Sequence, residues 1–230
     1  MALIESEHYR SSAGAKMGKP SRTALFSAVR MWDWPTAAEL LTAAPELVEA
    51  SDPQGHTPLH RACSVKPGSS PQLVELNGIR TVTILLEAGA DLEQAVPMDE
   101  DEGDFRATPL WYAVARGENF PLVEFLVQRG ANASYSLWAA VWRDDDLVCR
   151  ALLKSKPELN LKAHGETPIF YAARLKRLAT LALLIDAGAD PSIPDSVGRD
   201  SVAIARERKL PEEIIEQMVS LQQRKLRGRA

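Results

Sequence analysis

Four histidines, His8, His56, His60 and His164, are the side chains of this chain best suited to moving protons near neutral pH. His164 lies two residues from Glu166, but neither it nor His56 has a Ser or Cys nucleophile, or a third orienting group, at a recognisable spacing. No catalytic residue is therefore expected. The run Asp99 to Asp104 invites a calcium reading, since Asp99-x-Asp101-x-Gly103 opens like an EF-hand loop. Its fifth position lacks a carboxylate and its twelfth is Leu110, where a bidentate Glu is required, so no metal is expected. Glycines occur singly at turns and helix ends, never as Gly-x-Gly-x-x-Gly or before Lys-Ser or Lys-Thr, and no cofactor is expected either. Cys63 and Cys149 are the two thiols, and both fall at helical positions that suit buried, unpaired cysteines. What remains is recognition chemistry, in Trp and Arg side chains that recur along the chain.

The elements that must position these side chains are repeated. Thr57-Pro58-Leu59-His60-Arg61-Ala62 is followed by Gly89-Ala90-Asp91, Thr108-Pro109-Leu110-Trp111-Tyr112-Ala113 by Gly130-Ala131-Asn132, and Thr167-Pro168-Ile169-Phe170-Tyr171-Ala172 by Gly188-Ala189-Asp190. Thr before Pro suits a helix start: the hydroxyl accepts an orphan backbone N–H, and Pro at the first position lacks a donor that would be unpaired anyway. The glycines suit the ends of second helices. Each unit reads as two short helices and a turn. Thr167 lies 33 residues after Ser134 and 33 before Asp200, and both positions head helix-like segments, which reveals two degenerate units. A sixth starts near Thr23, with Leu25, Ala28, Leu40 and Leu41 on one face.

These phrases resemble the ankyrin repeat of about 33 residues. The resemblance implies an all-α solenoid of antiparallel helix pairs with short β-hairpin or loop fingers, in one domain over 23–222. Its units lie near 23–50, 51–95, 104–133, 134–160, 161–193 and 194–222. A flexible segment (1–22) precedes them and a basic tail (223–230) follows. His60 stands at the motif histidine, which in the family has a structural hydrogen-bonding role. The resemblance also implies a non-catalytic interaction module, an adaptor or regulatory subunit, binding another protein on its concave face. Positions carried over to that face are Arg30, Trp32, Arg116, Trp142, Arg143, Arg174 and Lys176 after the small-residue pairs, with His56 and Phe105 in the fingers. Trp and Arg on one face are hot-spot chemistry. Trp32 and Trp142 also suit the gap between neighbouring first helices as core, and Trp111 and Trp138 read as structural.

The intervals between copies are unequal. Thr57 and Thr108 are 51 residues apart, and the excess divides into an insert over 64–77 and a lengthened finger over 97–104. That acidic finger suits either a solvated loop or an electrostatic contact with a basic patch on a partner. After Asn132, by contrast, a finger is missing, and the gap is expected to expose Tyr135 and Trp138 in a notch. A small ligand or an enzymatic role in that notch is one alternative function.

The composition, 45% hydrophobic and 25% charged over 230 residues, is that of an ordinary packed domain. No apolar run approaches the roughly 18 residues of a membrane span, and Met1 to Arg22 lacks a signal-peptide core, so a cytoplasmic, monomeric protein is expected. A net charge of -4 gives no general attraction to nucleic acid. From Arg206 onward seven cations face four carboxylates, an excess of only three, which leaves nucleic-acid association through the tail as the second alternative.

Overall fold

The computed structural model describes residues 19–97 and 106–228. Among them, helices follow one another in six antiparallel pairs. The first pair is α1 (Arg22–Arg30) with α2 (Trp34–Ala43), and the second is α3 (Pro58–Cys63) with α4 (Glu75–Glu87). Next, α5 (Pro109–Tyr112) runs into a single π turn over Ala113–Gly117 and is followed by α6 (Phe120–Gln128). The remaining pairs are α7 (Ser136–Arg143) with α8 (Asp146–Lys154), α9 (Pro168–Leu175) with α10 (Leu178–Asp186), and α11 (Ser201–Glu207) with α12 (Glu212–Arg227).

The starts follow the capping chemistry. The Thr57, Thr108 and Thr167 hydroxyls accept from the N–H groups of His60, Trp111 and Phe170 at 3.5, 3.3 and 3.4 Å, each with Pro at the first helical position. Asp200 does the same for Ala203 at 2.7 Å. In the first unit the cap is Ser21, not Thr23, accepting from Ala24 at 3.3 Å. The second helices α4, α6 and α10 end at Gly89, Gly130 and Gly188, whose φ values of 96°, 91° and 81° are reached without strain only by glycine.

Apolar faces of successive pairs bury against one another, with Leu25, Leu59, Leu110, Leu137 and Ile169 fully buried along the row of first helices. Leu153, Leu159 and Tyr171 pack against both the amino-terminal and carboxyl-terminal parts of this core, so the burial is continuous along the stack. His60 sits inside it, and its Nδ1 atom accepts from the Thr57 N–H at 3.2 Å, closing a reciprocal cap. Burial, first, and the neighbouring His56 push its imidazole down to about 4. Cys63 and Cys149 are buried and unpaired, and burial raises both thiols, Cys149 to about 12.

The irregular intervals have a structural counterpart. The insert forms a loop over 64–74, anchored by buried Leu73, and α4 gains length at its start. The lengthened finger is held at its base by an antiparallel pair, β1 (Val96–Pro97) with β2 (Arg106–Ala107). Its acidic tip and Phe105 lie outside the described residues, as do 1–18.

Two expectations are corrected here. Residues 223–227 are not a tail: α12 runs through Arg227, carrying Arg224, Lys225 and Arg227 in its last turn. Nor does the missing finger open the helix start to solvent. Without a hairpin, the Ser134 hydroxyl accepts from the Glu158 N–H at 3.0 Å, drawing the next loop over the gap; Tyr135 is half-buried and Trp138 buried.

Candidate functional site

Residues four apart on a helix share a face, and two such pairs meet in one groove. Trp111 pairs with Ala115, and Trp138 with Trp142. Together with Arg116, Ala139, His164 and Tyr171 they line an open groove of about 300 Å³. The π turn supplies Ala115 and Arg116; such turns often mark functional sites. Trp111 and Trp138 present the buried part of the lining, at 7% and 5% exposure, while Trp142 is 52% exposed on the end of α7. The Trp138 and Tyr171 rings are 5.1 Å apart, and the Arg174 guanidinium lies 5.1 Å from the Tyr171 ring. Burial, first among its causes, raises the Tyr171 phenol.

The charges around the groove differ in how far they are already satisfied. Glu118 receives Lys66 and Arg143, each at 2.8 Å, and Lys66 first and then Arg143 hold its carboxyl below the usual range. Arg174 pairs with Glu166 at 2.8 Å. Arg116 is exposed and has no ion pair among the described residues.

The residues expected at a partner face therefore divide. Arg116 and Trp142 are brought together in the groove, with Arg174 beside Tyr171. Arg143 is tied to Glu118. Lys176 occupies the left-handed turn between α9 and α10, and Arg30 stacks 5.8 Å from Phe26 at the far amino-terminal unit.

Trp32 is not a surface residue. It is 1% exposed, its Nε1–H donates to the Ala62 carbonyl at 3.0 Å, and its ring fills the space that a side chain at Gly78 would occupy. His56 is not a free contact either. Its Nδ1 meets Asp52 at 3.1 Å and its Nε2 the Tyr112 hydroxyl at 2.6 Å, making a strut between the second and third units. Asp52 also accepts the Arg61 guanidinium. Burial works to raise its carboxyl, but Arg61 and the His56 N–H hold it down to about 2.

Trp111 and Trp138, expected to be structural, largely are so, yet one edge of each faces the groove. Tyr171 is a groove residue that the repeat positions alone do not single out. The signal for it was the four-residue spacing of Trp138 and Trp142, with aromatics recurring at the same place in neighbouring first helices, at Tyr112 and Tyr171.

Comparison with known proteins decides the family. The profile of the family described as Ankyrin repeats (3 copies) matches residues 72–195, more than half of the chain. The chain belongs to the ankyrin repeat family. A stretch of 77 residues is 34% identical to FPV242 of Fowlpox virus (strain NVSL), whose name places it among ankyrin repeat proteins. That stretch is 32% of this chain and only 22% of the viral protein's length. Among solved structures, the ankyrin repeat domain ABAYE2397 from Acinetobacter baumannii AYE is similar with a TM-score of 0.67 and 23% identity, over 87% of this chain and 98% of that one. The ankyrin repeat protein EF0377 gives 0.62 and 20%, over 87% and 96%. A chain from the complex of the predatory endopeptidase Bd0816 with the immunity protein Bd3460, from Bdellovibrio bacteriovorus, gives 0.62 and 24%, over 88% and 99%. At these identities the likeness concerns the fold. Ankyrin repeats as a family generally mediate protein–protein interaction, and among the described residues no helix of this ankyrin chain is long and apolar enough to cross a membrane.

Proposed function

We propose that this chain is a non-catalytic adaptor or regulatory subunit that captures one protein partner in the inner groove between α5 and α9. The observation that carries the reading is Trp142, a large aromatic left 52% exposed beside the buried rings of Trp111 and Trp138, with Arg116 in the same lining and outside any ion pair of the described residues. Rigid aromatic area with a neighbouring guanidinium is the composition of interface hot spots, because it buries much apolar surface at little entropic cost. One structural neighbour comes from a complex of an endopeptidase with an immunity protein, which agrees with a role in binding. Two buried, unpaired thiols favour a reducing compartment such as the cytoplasm. The polar outer face of α12, with Glu212, Glu213 and Glu216, favours a monomer, since an end unit must turn a polar side to water.

The test is affinity capture with mass spectrometry, comparing the native chain with the double variant Trp142→Ala, Arg116→Ala. A protein held by the native chain should be lost from the variant while the unfolding midpoint in urea stays unchanged. Equal recovery from both would show that the partner binds elsewhere.

A further inference from the structure

The last turns of the first helices are basic in every unit: Arg30 in α1, Arg61 in α3, Arg116 in the π turn after α5, Arg143 in α7, Arg174 in α9 and Arg206 in α11. A helix carboxyl end attracts cations through its dipole, which explains one such residue on any helix. The same force acts on the second helices, yet α2, α4, α6 and α10 carry no basic residue in their last turns, and only α8 and α12 do. The preference therefore belongs to the row of first helices. It stands out in a chain whose net charge is -4.

Resting on the reading of the groove as a partner site, we infer that the partner is a protein presenting an acidic segment with one bulky apolar side chain, the apolar group entering between Trp142 and Trp138 and a flanking carboxylate meeting Arg116. Internal carboxylates already engage Arg61, Arg143 and Arg174, so these three are locally neutralised and offer no bond to the partner. Arg116 lines the groove without such a pair among the described residues. A carboxylate arriving there completes a charge-assisted contact.

The aromatic lining would by itself also suit a cation, through attraction to the ring faces. The surrounding charge opposes that occupant. The Arg174 guanidinium, itself paired with Glu166, already covers the Tyr171 ring, and Arg116 stands in the lining, so an entering ammonium would find that ring taken and would meet Arg116. A nucleic acid would answer Arg116 as well, but its far larger charge would meet more of the chain's net negative charge than a short acidic segment does.

Fluorescence anisotropy with three labelled 15-residue peptides tests the inference. Each carries a central Phe, flanked on both sides by Glu, Gln or Lys, and labelled oligo-dT serves as a fourth probe. The Glu peptide should bind tightest, about tenfold over the Lys peptide at low salt, and should weaken as salt is raised. Arg116→Glu should reverse the order of the Glu and Lys peptides, and Trp142→Ala should weaken all three. The inference is overturned if the Lys or Gln peptide matches the Glu peptide, if Arg116→Glu leaves the order unchanged, if oligo-dT binds more tightly than any peptide, or if no peptide binds. Should the peptide order fail while Trp142→Ala still releases a captured protein, the groove remains the partner site and only its chemistry is refuted.

Discussion

At the residue scale, Trp32 shows how a side chain suited to recognition is spent on packing instead. A β-carbon built at Gly78 would lie 2.8 Å from the Trp32 ring, so the ring and the glycine are fitted to each other across the first two units. Trp32→Ala should cost about 3–5 kcal/mol, as large-to-small changes of buried aromatics do. Gly78→Ala should also destabilise, because the ring has no room to retreat; urea unfolding of both variants checks this, and wild-type midpoints would contradict it. His60 predicts a pH dependence. Its folded value of about 4 lies below the ordinary 6.5, so as pH falls below 6.5 the unfolded chain takes up a proton that the native state refuses. Stability present above that point should decline by about 3 kcal/mol by pH 4, at roughly 1.4 kcal/mol per unit. Asp52, lowered to about 2, adds its own loss only below its ordinary 3.8. Thermal unfolding at pH 7, 5.5 and 4 should show the decline, and His60→Gln should flatten it.

At the scale of elements, each unit is tied to the next by side chains from its turns. Asp144, in the left-handed turn between α7 and α8, accepts from both the N–H and the hydroxyl of Thr180 at 3.0 Å, and so caps α10 of the following unit. Asp144→Ala should lose about 1–2 kcal/mol, the cost of deleting a helix cap, whereas Asp144→Asn keeps an acceptor and tolerates the turn. Denaturant unfolding of the pair separates the two; equal losses would show that the acceptor is not what matters. Much of this level was legible in the chain. Thr57-Pro58, Thr108-Pro109 and Thr167-Pro168 announce helix starts because capping is local chemistry, and the intervals between them announce the insert and the missing finger. The response to the missing finger was not legible. Ser134 has the type of a cap but bonds to Glu158, a partner 24 residues away that no local pattern points to.

At the scale of the whole molecule, a stack of this kind has an inner ledge whose side chains come from different units, and its surface cannot be read from any single repeat. Arg116 and Trp142 were expected at a partner face because their positions follow the repeat, and both line the groove. That Trp32, in the turn after α1, faces inward depends on Gly78 in a different unit, and that Trp111, Trp138 and Tyr171 share one groove depends on three units meeting. If this groove, rather than another exposed apolar surface, holds the partner, then removing its exposed ring should matter where removing a distant apolar side chain does not. Leu226 on α12 is also 52% exposed and serves as the control. The direct measurement is the dissociation constant of a purified captured partner, by calorimetry, for the native chain, Trp142→Ala and Leu226→Ala. A rise of about tenfold or more for Trp142→Ala, with Leu226→Ala unchanged, is the predicted result; native affinity in Trp142→Ala would contradict it.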